Sequence, residues 1–192
     1  MKIAIAGYGV VGRGTHELLL MNRDKIAARA GEEIEVKYVL DLKPLEGTPA
    51  ERLKASGIEE ILADPEVKLL VEAIGGVGPA YEYVKAALES GRSVVTPNKQ
   101  LVAEKGAELL AIAREKNVGF LFEASVAGGT PVLHPISQCL WANDLDLAAG
   151  ILNGTTNYIL TKMVQEGAGF EETLREAQRL GYAEADPTAD IE

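Results

Sequence analysis

Cysteine is almost missing from this chain: Cys139 stands alone among 192 residues. A single thiol excludes an internal disulfide and any cysteine-rich metal site, and a reducing cytoplasm is the setting that suits it. Cys139 also lacks an adjacent histidine or glycine-rich turn, so no nucleophilic role is read into it. Positive charge is scarce as well. The 19 Lys and Arg against 29 Asp and Glu leave a net charge of −10. That balance speaks against a nucleic-acid partner, whose phosphates need clustered cations, and against an anionic membrane surface. No apolar run approaches the ~20 residues that cross a bilayer. The two histidines, His16 and His134, are far apart and have no metal-ligand spacing, so both read as structural.

What is present is ordinary for a globular enzyme: 47% hydrophobic and 25% charged residues in a length that fits one domain or one and a half. The opening MKIAIAGYGVVG has a lysine and an apolar run but no A-x-A-like cleavage site. It reads as a first strand running into a glycine turn rather than as a signal peptide. From there apolar runs alternate with amphipathic stretches. Strands are predicted at 2–6, 34–40, 68–74, 93–96 and 118–122, and helices from Val10 through Leu20, from Pro79 to Glu89 and over 100–116. Strands separated by helices of this length imply right-handed crossovers and a parallel sheet. After Glu123 the pattern changes. Residues 124–131 form a small-residue loop, 131–142 and 155–180 read as helical, and LAAGIL (147–152) reads as a strand. The expected division is 1–125 and 126–192, with the second domain unfinished, because one strand does not make a stable sheet.

GYGVVG (7–12) is a G-x-G-x-x-G between a strand and a helix. Gly7 allows the tight turn, Gly9 lets backbone approach a pyrophosphate, and Gly12 lets helix and strand pack closely. The helix start then offers free N–H groups to phosphate. A glycine-rich turn of an unrelated α/β fold is the alternative. Asp41 lies near the end of the second strand, where a carboxylate accepts from a free ribose 2′-OH and repels a 2′-phosphate, which favours NAD over NADP. The gap from Gly12 exceeds the usual ~20 residues unless a long helix fills it. Lys43 nearby softens the preference, and a solvated loop acid is the bland reading of Asp41. Val10, Val11 and Gly75 complete the cofactor-binding positions with Lys99.

Four further stretches stand out in order: TPNKQLVA (96–103), FEASVAGGTPVLHPI (122–136), GILNGTTNYIL (150–160) and GYAEADPTADIE (181–192). With the fingerprint they resemble homoserine dehydrogenase over nearly the whole chain. The resemblance implies a Rossmann-type doubly wound parallel sheet followed by an incomplete α+β substrate domain. It also implies NAD(P)-dependent interconversion of L-homoserine and L-aspartate 4-semialdehyde, in threonine and methionine biosynthesis. On its own Lys99 is a surface lysine starting a helix; the family's matching lysine lines the active site. Glu184 corresponds to the acid that binds the substrate's amino end, and Asp190 and Tyr182 to other substrate-side positions. Gly154 and Thr155 would touch homoserine, although NGTTN equally reads as a helix cap. The family's matching loop binds a monovalent cation such as sodium through backbone carbonyls, which carries over to Glu123, Val126, Gly128 and Thr130; a plain hinge is the other reading. The full-length form is expected to be a homodimer. The family pattern continues past DPTADIE into a glycine, an aspartate and the proton-transferring lysine, so the chain is expected to be a truncated form. A non-catalytic NAD-binding module or sensor is the rival from another functional class.

Overall fold

The computed structural model describes residues 1–183 and divides into two compact units, Met1–Ser125 and a second beginning at Val126. The first unit runs β1 (Lys2–Ala6), α1 (Val10–Met21), α2 (Arg23–Ala30), β2 (Glu35–Leu40), α3 (Ile58–Ala63), β3 (Val67–Glu72), α4 (Gly78–Glu89), β4 (Ser93–Val95), α5 (Lys99–Lys116) and β5 (Phe120–Leu121). Its strands form one sheet in the order β2-β1-β3-β4-β5, every pairing parallel. The short helix α6 (Ala124–Ala127) follows.

The two faces of β1 explain the layering. Ala4 and Ala6 point to a core shared with Leu70, Ile61, Val84, Leu88, Leu101 and Leu109, from β3 and helices α3, α4 and α5. Ile3 and Ile5 point to the opposite core, with Val36, Val39 and Val71 from the neighbouring strands and Leu45 and Ala50 from the segment after β2. A central parallel strand covered on both faces has no solvent side, which is why KIAIA carries no polar alternation after its lysine. Asn98 caps α5 by accepting from the Leu101 N–H, and Asn117 closes that helix in the left-handed conformation at φ 55°.

The second unit contains, among the described residues, helices and turns only. Asn153 caps α7 (Gly154–Glu166), Gly167 ends it at φ 68°, and α8 (Phe170–Leu180) packs back against it. The helical stretch expected over 155–180 is made of two helices, parted where Gly167 takes the left-handed conformation that ends a helix. Three expectations are corrected here. The strand expected at 147–152 is absent; those residues are largely exposed and no described strand lies in this unit to pair with. The helix over 131–142 shrinks to a π-type turn at Pro135–Cys139, beside prolines that remove backbone donors at 131 and 135. The strand at 118–122 keeps only Phe120–Leu121. Helices α2 and α3 were not foreseen; together α1 and α2 fill the gap between Gly12 and Asp41.

Burial sorts the leucines sharply. Leu70 is 0% exposed in the middle strand and Leu42 is 101% exposed just past β2. In chemical denaturation Leu70→Ala is expected to lower stability by about 2–5 kcal/mol through lost burial and a residual cavity. Leu42→Ala should stay within about 0.5 kcal/mol. Equal losses at the two positions would contradict this sheet order.

Candidate dinucleotide-binding site

The site is built where three strands end together. The Gly7 N–H donates to the Leu40 carbonyl at 2.8 Å, tying β1 to β2, and the Ala73 N–H donates to the Ala6 carbonyl at 2.7 Å, tying β1 to β3. Gly7 turns at φ 93°, and a Cβ there would collide with the Ala73 carbonyl. At Gly12 a Cβ would collide with the Gly7 carbonyl oxygen, so α1 can pack this closely only with glycine at that position. Gly9 is different. Its φ of −75° is open to any residue, and a Cβ there would meet nothing within 4 Å. Neither the backbone nor the packing of the protein demands glycine at this position. What remains is open space at Gly9, beside the first N–H groups of α1, whose first turn carries no acidic side chain. Val10 and Val11 stand exposed at that helix start. A pyrophosphate fits the geometry and charge of this turn.

Asp41 lies on the β2 side of the turn. One carboxylate oxygen accepts from the Tyr8 N–H at 2.6 Å and the other from the Lys43 N–H at 2.7 Å. The glycine turn is therefore held by the same acid that stands where a ribose would be read. Tyr8 is anchored at its far end too: its hydroxyl meets His16 Nδ1 at 2.8 Å, and both side chains are buried.

On the β3 side lies a residue that sequence reasoning passed over. Glu72 is 0% exposed. One of its oxygens accepts from the Ile74 N–H at 2.7 Å and the Gly75 N–H at 3.3 Å. The other accepts from the Thr96 hydroxyl. Thr96 Oγ1 in turn accepts from the Asn98 N–H at 3.0 Å, and Asn98 Nδ2 donates to the Gly76 carbonyl at 2.6 Å. This ring of bonds joins the turn containing Gly75, at φ 84°, to the start of α5, where Lys99 is the first helical residue. The available signal was a carboxylate ending an otherwise apolar strand, LLVEAI.

The turn thus brings together Gly7, Gly9, Val10, Val11, Gly12 and Asp41, and the Glu72 ring links Gly75 to Lys99. In the second unit the Thr155 hydroxyl is buried and donates to the Tyr182 carbonyl at 2.6 Å. The Tyr182 ring is exposed and tilted against Tyr158 at 5.0 Å. Gly154 opens α7 beside them. Glu184 and Asp190 lie outside the described residues. Of the carbonyl set considered for sodium, Glu123 belongs to the first unit and Val126, Gly128 and Thr130 to the second. No group of three His, Cys, Asp or Glu among the described residues could hold a metal ion.

A parallel sheet whose order reverses between β1 and β3, with a steric glycine turn and a helix start at that point, is a Rossmann-type dinucleotide-binding unit. The chain belongs to the homoserine dehydrogenase family. The family's NAD-binding domain matches residues 7–123 and its homoserine dehydrogenase domain matches residues 131–192. The chain is 47% identical to a homoserine dehydrogenase of Pseudomonas aeruginosa, covering all of this chain and 44% of that protein. A solved homoserine dehydrogenase from Thiobacillus denitrificans superposes with a TM-score of 0.91 at 44% identity, again over all of this chain and 45% of that one. A hyperthermophilic archaeal homoserine dehydrogenase solved in complex with NADPH matches at a TM-score of 0.76 and 28% identity, over all of this chain and 65% of that one. The chain therefore spans less than half the length of the first two relatives. The first unit is a nicotinamide-dinucleotide domain.

Burial holds the His16 imidazole below its ordinary value, only partly offset by Glu17. Just below about pH 6.5 the unfolded chain therefore binds more protons than the folded one, and stability rises with pH across that window. Melting temperature is expected to fall as pH drops from about 7 to 5. His16→Gln should lower stability at the upper pH and flatten part of the slope. Identical slopes in the two proteins would contradict the assignment.

Proposed function

We propose that this chain carries the cofactor site and part of the substrate site of a homoserine dehydrogenase that prefers NAD to NADP. The activity is the reversible conversion of L-homoserine to L-aspartate 4-semialdehyde, within cytoplasmic threonine and methionine biosynthesis, in a protein that is a homodimer at full length. The observation that carries the reading is Gly9: a glycine that the protein's own packing does not require, set before the bare N–H groups of α1.

Gly9, with the amides of Val10 and Val11, holds the pyrophosphate on the turn that Gly7 and Gly12 shape by close packing, and Asp41 accepts from the ribose 2′-OH. A second negative group at that position is disfavoured, because Asp41 is already fixed at both oxygens and cannot swing away without releasing Tyr8 and Lys43. When bound, the nicotinamide supplies the acceptor for the hydride that leaves the substrate's carbinol carbon. Lys99, at the start of α5, orients the substrate hydroxyl and stabilises charge developing on its oxygen. Glu184 and Asp190 receive the α-ammonium end, where a carboxylate pair matches the cation it meets. Gly154, Thr155 and Tyr182 shape the remaining substrate surface.

The test is the initial rate of NAD and NADP reduction with and without L-homoserine, run on the wild type and Asp41→Asn. The expected result is a homoserine-dependent rate faster with NAD. In the variant the ratio of NAD to NADP affinity should narrow by about tenfold, the effect of roughly one removed charge contact. An unchanged ratio would overturn the role of Asp41. No homoserine-dependent rate in a chain that still binds NADH would favour the non-catalytic dinucleotide-binding module.

A further inference from the structure

A carboxylate with no contact to water is costly unless donors satisfy it, and Glu72 is one, sitting at the carboxyl end of the middle strand. Its hydrogen-bond partners are two backbone N–H groups and one hydroxyl, with no cation among them. It does not serve the core, where an apolar residue would pack at lower cost. Its bonds all go to the segments that leave the ends of β3 and β4. An ionised Glu72 can only accept, so the Thr96 hydroxyl gives it its proton while Thr96 Oγ1 accepts from the Asn98 N–H. Asn98 then reaches across to the Gly76 carbonyl and also caps α5, with its Oδ1 accepting from the Leu101 N–H at 3.0 Å.

The strand order says which half of a dinucleotide these segments face. The glycine turn follows β1; Asp41 follows β2 on one side of it, and residues 73–77 and 96–99 follow β3 and β4 on the other. A dinucleotide straddling the turn with its adenosine ribose at Asp41 lays its nicotinamide half over the Glu72 side.

We propose that Glu72, acting through Thr96, is the positioning residue for the nicotinamide half of the site: it locks the turn at Ile74–Gly76 to the start of α5 and so fixes where the ring and Lys99 meet. The inference rests on the dinucleotide reading given above and extends it to the segments after β3 and β4, on the other side of the glycine turn from Asp41.

ADP-ribose separates the two halves, because it carries the adenosine, both phosphates and the second ribose but no nicotinamide. Binding of NADH and of ADP-ribose would be measured by titration for the wild type, Glu72→Gln, Thr96→Val and Thr96→Ser, with a melting curve for each. Glu72→Gln and Thr96→Val should each weaken NADH by about tenfold, as for the loss of a hydrogen bond to a charged group, while Thr96→Ser stays within about twofold. ADP-ribose affinity should be unchanged in all of them. A merely structural role would weaken both ligands together or leave both unaltered, and either result overturns the proposal. If Glu72→Gln does not fold, the Thr96 pair decides alone: failure of serine to restore what valine loses counts against it. A wild type that binds neither ligand overturns the dinucleotide reading, and the proposal falls with it.

Discussion

The approach of α1 to the turn that precedes it governs the first unit. Gly12 lies so close to the Gly7 carbonyl that no side chain fits between them, and Gly7 itself is pressed against the Ala73 carbonyl. The ends of β1, β2 and β3 meet at this one place through the Leu40 carbonyl and the Ala73 N–H. The close approach does two things at once. It packs α1 onto the sheet, and it aims the helix start along the crevice where the strand order reverses. An anion site at a helix start needs this alignment more than it needs any particular side chain. The glycines at 7 and 12 serve the protein's packing, and the glycine between them, at 9, serves whatever approaches from outside.

Around that turn, polar side chains are spent on holding backbone. Asp41 grips two amides, Tyr8 is pinned by His16 from below, and Glu72 ties two loops through Thr96 and Asn98. Each arrangement buries or half-buries a polar group and satisfies it with a fixed partner, which rigidifies a surface that would otherwise be a set of independent loops. Loops held this way can present backbone N–H and C=O groups at constant positions, and a binding site assembled mainly from backbone depends on that constancy.

How much of this could be read beforehand depended on whether the chemistry was local. GYGVVG could be read because strand, turn and helix follow one another within a dozen residues and each glycine has its own steric reason. The parallel sheet could be read because apolar runs such as KIAIA alternate with helices long enough to serve as crossovers. The distance to Asp41 looked too long only because the break at Asn22 between α1 and α2 has no strong signal. Glu72 escaped notice because its partners are backbone amides and a threonine 24 residues away, contacts that no spacing rule announces. The strand expected at 147–152 failed for the opposite reason: LAAGIL has the local character of a strand, but a strand exists only with a neighbour to bond. Lys99 and the NGTTN helix start were visible as residues, and family resemblance, not pattern, supplied their roles.

The division of labour among the glycines is the central claim, and Gly9→Ala tests it most directly. NADH affinity and melting temperature would be measured for Gly9→Ala beside Gly12→Ala. The account predicts that Gly9→Ala melts like the wild type yet binds NADH at least about tenfold more weakly, since a methyl group would occupy the space left for the pyrophosphate. Gly12→Ala should lose folding stability. A Gly9→Ala protein that binds NADH as the wild type does, or one that unfolds as readily as Gly12→Ala, would contradict it.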